Sequence, residues 1–222
     1  PGLIFITLPN IFNNMAGGQL VKSGGGVTTF ASGCTYNNFG SLYVNAGTLS
    51  IDGSSGAFTG YVQTELGAEL AGNELIFTGD TIQNNGLISI VALSLEGPNM
   101  QYILGTGQFS DLRFNNAAGF SLEGDQTVNA NLFFDLGLVH TGANSLRIGG
   151  TCAVSGASDL CYVVGNLQRF LDGSVTLTYD IGDADAYTPV TLSGSVFPGG
   201  YILARTEAGD HPQILTSGID QD

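Results

Sequence analysis

The chain has no tryptophan, three cysteines, two histidines and five basic residues against 19 acidic ones. Each shortage excludes something. A formal net charge of −14 argues against nucleic-acid or anionic-lipid partners and membrane-surface attachment, because both need Lys and Arg to displace counterions. Three scattered cysteines with the distant His140 and His211 do not form a zinc ligand set. No apolar run approaches the ~20 residues of a membrane-spanning helix, so membrane insertion is not expected. The apolar opening from Pro1 to Leu8 lacks the basic region and cleavage site of a signal peptide. Sustained helical periodicity is missing too: the best stretch, Asn13 to Leu20, is interrupted by Gly17-Gly18.

What is present is repetition. An apolar–any–apolar–any–glycine phrase occurs as Leu49-Ser50-Ile51-Asp52-Gly53, Leu75-Ile76-Phe77-Thr78-Gly79, Leu93-Ser94-Leu95-Glu96-Gly97, Phe120-Ser121-Leu122-Glu123-Gly124 and Leu146-Arg147-Ile148-Gly149-Gly150. Its starts are 26, 18, 27 and 26 residues apart. Each phrase reads as a period-2 strand ended by a turn, and recurrence near this length signals a chain that stacks on itself. The 34 glycines suit many tight corners, and 43% apolar residues are too many for a disordered chain. Corner asparagines such as Asn37-Asn38, Asn84-Asn85 and Asn115-Asn116 are expected to bond to one another from rung to rung.

The expected fold is all-β: a parallel β-solenoid over residues 20–161, followed over 162–222 by a small antiparallel β-sandwich-like region of four strands. One continuous irregular β domain is the competing reading. Residues 1–19 would cap the first rung or join another molecule as an added strand. The start at Pro1 and the polar end at Asp222 read as internal points of a longer protein.

Candidate sites are few. A hairpin return over Ser155 to Asp159 would bring Cys152 and Cys161 within disulfide reach, leaving Cys34 as a small buried residue. Asp180, Asp183 and Asp185 could supply oxygen ligands to calcium, the one cofactor the sequence suggests. Asp52, Glu96 and Glu123 hold the same place in three phrases and would form an acidic stripe if those phrases shared a column. Arg113, Arg147, Arg169 and Arg205 are isolated, and neither they nor His140 and His211 stand at a catalytic spacing. Threonines follow no common register, against an ice-binding face. Tyr43, Tyr61 and Tyr102 could stack on sugars, although most aromatics of such a core serve packing.

From Leu93 onward the chain resembles repeat modules of very large secreted surface proteins of Bacteroidota and related bacteria. The resemblance rests on the order of Gly107-Gln108-Phe109-Ser110-Asp111-Leu112-Arg113-Phe114-Asn115-Asn116, Val128-Asn129-Ala130-Asn131-Leu132, Tyr162 to Arg169, Asp180-Ile181-Gly182-Asp183 and Tyr187 to Leu192. Thr216 to Asp220 looks like the start of a further module. The resemblance implies export by the type IX route, an extracellular or cell-surface place and a structural or adhesive role, with no catalytic residues to carry over. The functional expectation is a non-enzymatic surface module whose partners are further copies, neighbouring modules or surface polysaccharide. Assembly into a fibre is its extended form. A polysaccharide-binding or polysaccharide-cleaving β-helix is the alternative.

Overall fold

Apolar residues at every second position bury one side of each strand, and glycine or asparagine then lets the backbone turn sharply enough to begin the next. Repeated around an axis, these two rules give a parallel β-solenoid of about nine turns. The structure is a computed structural model in which residues 10–207 are described. No helix occurs among them.

Three faces enclose the core. The first begins with Asn10–Asn14, Cys34–Asn38 and Ser54–Phe58 and ends with Ala153–Ser155. A second face stacks Gln19–Lys22, Ser41–Val44, Tyr61–Thr64, Thr81–Asn84, Gln101–Leu104 and Phe120–Glu123. The third carries Val27–Phe30 and Gly47–Ile51 and continues through the opening halves of Ala68–Phe77 and Leu87–Leu95. Every pairing within these faces is parallel, so each internal strand bonds to the rung before and the rung after.

The repeated phrase now has a geometrical meaning. Its inward residues Leu49, Ile51, Leu75, Phe77, Leu93, Leu95, Phe120, Leu122, Leu146 and Ile148 are all buried. Leu93 pairs directly with Leu75, so that 18-residue step is one turn on one face. The steps of 26 and 27 residues are one turn plus one further face, and the phrase walks from the third face to the first, the second and back to the third.

The core is a column of aliphatic side chains with aromatic clusters, and each fully buried Leu, Ile or Phe contributes roughly 1.5–3 kcal/mol. Phe30 and Tyr36 stack with ring centroids 4.7 Å apart, and Phe58 meets Tyr36 edge-on at 5.1 Å. Higher up, Phe114 lies 4.7 Å from Phe120 and 5.8 Å from Phe134. Among the described residues the buried Tyr36 hydroxyl has no hydrogen-bond partner, and burial pushes its pKa upward.

Corners need both close approach and buried polar groups that are satisfied. A Cβ at Gly60 would stand 1.8 Å from the Gly40 carbonyl oxygen, so successive corners touch backbone to backbone. Gly137 combines φ +93° with the same 1.8 Å approach, to the Asn116 carbonyl oxygen. The corner amides link rungs, but only in part as the expected asparagine ladder. Asn14 Nδ2 donates to Asn38 Oδ1 at 2.7 Å and Asn37 Nδ2 to Asn13 Oδ1 at 2.7 Å. Elsewhere they bond mainly to backbone: Asn38 Nδ2 to Tyr61 O at 3.2 Å, Asn84 Nδ2 to Gln108 O at 3.0 Å, and Gln126 Nε2 to Gly105 O at 2.7 Å. Fixed carbonyls at every corner offer acceptors where no asparagine follows on the next rung.

Two boundaries differ from the sequence expectation. Parallel pairing already involves Asn10–Asn14 and runs past residue 161, through Val163 and Val164 to Ile181 and Gly182. The expected four-stranded sandwich-like region is a two-stranded antiparallel ribbon, in which Val163–Tyr179 leaves the solenoid to pair with Val190–Ala204. The glycine-rich stretches Asp172-Gly173 and Pro198-Gly199-Gly200 do not end strands but lie within these two long ones, with register shifts around Gly173, whose φ is +68°. A bulge takes up the extra residue without ending the ladder. The expectations for Pro1 to Pro9, His211 and Thr216 to Asp220 lie outside the described residues.

Candidate functional site

The three aspartates considered as calcium ligands take different parts in one loop. Asp180 is buried at the end of the long strand, where its Oδ1 accepts the Tyr187 hydroxyl at 2.7 Å. Asp183 closes its own turn: Oδ1 accepts the Asp185 and Ala186 backbone N–H groups, each at 2.9 Å. Asp185 is exposed. Among the described residues no three ligating side chains converge on a common point. The loop is instead clamped by aromatic rings, with Tyr162 and Tyr187 5.4 Å apart and the Tyr162 hydroxyl donating to the Asp183 carbonyl at 2.9 Å.

The expected disulfide does not form. Cys152 and Cys161 are buried free thiols, as is Cys34. Cys152 lies near Asp111 and Arg169, whereas Cys161 lies near Asp135 and Leu136, so they occupy opposite ends of the first face. The segment between them spans that face instead of doubling back, and only Ser158 and Cys161 form a local antiparallel bridge. Burial pushes the Cys152 thiol up to about 11 and the Cys161 thiol up to about 12.

The acidic stripe dissolves for the reason that explains the phrase spacing. Asp52 follows a third-face strand, Glu96 a first-face strand, and Glu123 ends a second-face strand. Each carboxylate instead accepts a hydrogen bond from the serine two residues earlier: Ser50 at 2.5 Å, Ser94 at 2.8 Å and Ser121 at 2.8 Å. Arg113 pairs with Asp135, 22 residues on, and lies 4.3 Å from the Phe133 ring centre. Arg147 pairs with Asp125 at 2.6 Å, also across 22 residues. That shared separation, close to one turn, is the sequence signal that would have found both pairs. His140 sits in register between Ser121 and Val164 on the second face.

The same face gathers the three tyrosines singled out from sequence. Tyr61 lies beside Ser41, Tyr43 beside Gln63, and Tyr102 beside Thr81 in the parallel register. The Tyr43 and Tyr61 ring centres are 5.8 Å apart. The Tyr61 hydroxyl stands 2.6 Å from Gln83 Oε1 and 2.9 Å from Gln63 Oε1, and Gln63 in turn donates to Glu65. Burial, then the neighbouring Tyr43 and Glu65, push the Tyr61 pKa upward. The result is an outer surface of aromatic rings, amides and hydroxyls with Gln63 and Gln83 in register on adjacent rungs. Sequence reading marked the tyrosines but missed the glutamines, whose 20-residue separation is again one turn. Tyr61 and Tyr102 are two rungs apart, about 9.5 Å at the ordinary strand spacing.

Compared with known proteins, the chain matches no family model, and no curated protein or solved structure is significantly similar to it.

Proposed function

We propose that this chain is a non-enzymatic, extracellular structural and adhesive module of a bacterial surface protein. The observation that carries the proposal is the unbroken parallel ladder from Asn10 to Gly182 around one apolar core. Each internal rung is bonded on both sides, so bending requires distortion of backbone hydrogen bonds along a whole face. About nine turns at ~4.8 Å each make a stiff spacer roughly 40 Å long. Outward side chains are then free for contact, and the phrase order resembling secreted surface modules supports an extracellular place.

The same geometry supports assembly with further copies or adjoining modules. Among the described residues, Asn10–Asn14, Gln19–Lys22 and Val27–Phe30 pair on one side only. Such edges accept another strand layer, and stacked copies would form a fibre. Polysaccharide binding is the second reading, favoured by the tyrosine and glutamine surface of the second face.

Electron microscopy of the purified chain at high concentration, with and without calcium, tests the structural reading. Rods that associate end to end are expected; dispersed globular monomers under all conditions contradict assembly. Turnover of any of a panel of bacterial and algal polysaccharides would contradict the non-enzymatic role.

A further inference from the structure

Where Ala153–Ser155 faces the antiparallel ribbon, a groove of about 360 Å³ is lined by Ser155, Gly156, Arg169, Thr176, Thr178 and Asp180. Its floor holds two buried charged side chains. Arg169 and Asp180 are only 7% and 8% exposed, and burial of charge is costly without a complete set of partners. The other cations have theirs: Arg113, Arg147 and Arg205 pair with Asp135, Asp125 and Glu207, and Lys22 Nζ donates to the carbonyls of Ser23, Gly24 and Ala46. Arg169 has no carboxylate in ion-pair range among the described residues, and its one bond there runs from Nη1 to the Thr178 carbonyl at 2.5 Å. A guanidinium carries five N–H donors in a planar fork that matches a carboxylate.

We propose that this groove binds a hydroxylated carboxylate, specifically a uronic-acid residue of an acidic polysaccharide. Arg169 receives the carboxylate as a forked pair. Asp180, which already accepts the Tyr187 hydroxyl, has remaining lone pairs for a sugar hydroxyl, and Ser155, Thr176 and Thr178 supply both donors and acceptors. Charge selects a monoanion: one guanidinium beside a carboxylate, in a chain of net charge −14, is poorly matched to a phosphate dianion. Three hydroxyls and two charged groups lie beside the apolar Val154, Ala157 and Leu177 of the same lining, which suits a sugar ring better than a wholly apolar ligand. The proposal lies beyond the spacer function and uses a surface separate from the tyrosine face, so its failure leaves the account of the rod untouched.

Isothermal titration of the full chain with a galacturonic-acid trisaccharide, its neutral galactose counterpart and succinate tests the assignment. The acidic trisaccharide is expected to bind at least about tenfold more tightly than either control, the loss equivalent to one charged hydrogen bond. Arg169→Gln should abolish binding and Arg169→Lys weaken it. Because Arg169 is buried, Ser155→Trp provides a second test: residue 155 is exposed, and the ring would fill the groove without entering the core. Binding lost in Ser155→Trp at an unchanged unfolding midpoint supports the site. No binding of the acidic trisaccharide, equal binding of the neutral sugar or of succinate, or undiminished binding by Ser155→Trp would overturn it.

Discussion

Replacing Gly60 by alanine tests whether the rungs touch as closely as the fold requires. The added Cβ would lie 1.8 Å from the Gly40 carbonyl oxygen and 2.8 Å from the carbonyl carbons of Gly40 and Phe39, all backbone atoms. No side chain can rotate away, so the corner must open by more than about 1 Å to reach an ordinary contact. Opening strains the neighbouring bonds in which Thr59 N and Gly60 N donate to Asn38 O at 3.0 and 2.9 Å. Loss of both at about 1 kcal/mol each, with about 1–2 kcal/mol of overpacking strain, predicts a destabilisation of about 3–4 kcal/mol. Gly25→Ala is the control: nothing lies within 4 Å of its Cβ and its φ is not positive, so the change should be neutral or stabilising by up to about 1 kcal/mol. Urea unfolding followed by circular dichroism reads both. A Gly60→Ala midpoint indistinguishable from that of Gly25→Ala would refute the close stacking of corners.

Asn38→Leu removes the acceptor for Asn14 Nδ2 and the donor to Tyr61 O within a fully buried corner, and should cost about 2 kcal/mol in the same assay. Cys152 and Cys161 have folded pKa values raised from 9.0 to about 11 and about 12, so their contribution to stability is complete below about pH 9 and is lost as pH rises through 11 to 12. The urea midpoint should therefore fall above pH 9, and fall less in the Cys152→Ala/Cys161→Ala variant; equal slopes would contradict the burial of these thiols. Tyr61→Ser/Tyr102→Ser should reduce retention on an insoluble neutral polysaccharide by on the order of tenfold, equivalent to about two aromatic contacts, while an unchanged retention would remove the second face as a sugar-binding surface.

The strands were legible because alternation reports which side chains point inward, and the inward residues of all five repeated phrases are buried. Which face each strand joins was not, because alternation is identical on all three. That ambiguity made Asp52, Glu96 and Glu123 look like a column when they lie on three different faces. Corner length decides face membership, and glycine and asparagine corners accept variable lengths. The end of the solenoid was misplaced for a related reason: Gly173 looks like a hairpin turn locally, yet partners in Val190–Ala204 hold its strand straight through. Cys152 and Cys161 are near neighbours in sequence, but a strand crossing a full face keeps their thiols apart. The tyrosines of the second face became a surface only when one-turn spacing brought Gln63 and Gln83 between them.

Stacking of successive turns is tested most directly by a distance along one face. Gln19 and Ser121 both belong to the second face, and the register steps through Ser41, Tyr61, Thr81 and Tyr102 between them. Five rung spacings place them about 24 Å apart. Electron–electron double resonance on spin labels at Gln19→Cys and Ser121→Cys, in a chain with Cys34, Cys152 and Cys161 replaced by alanine, should give one narrow distribution near that separation. A broad distribution, or a maximum displaced by more than about two rung spacings, would contradict the solenoid.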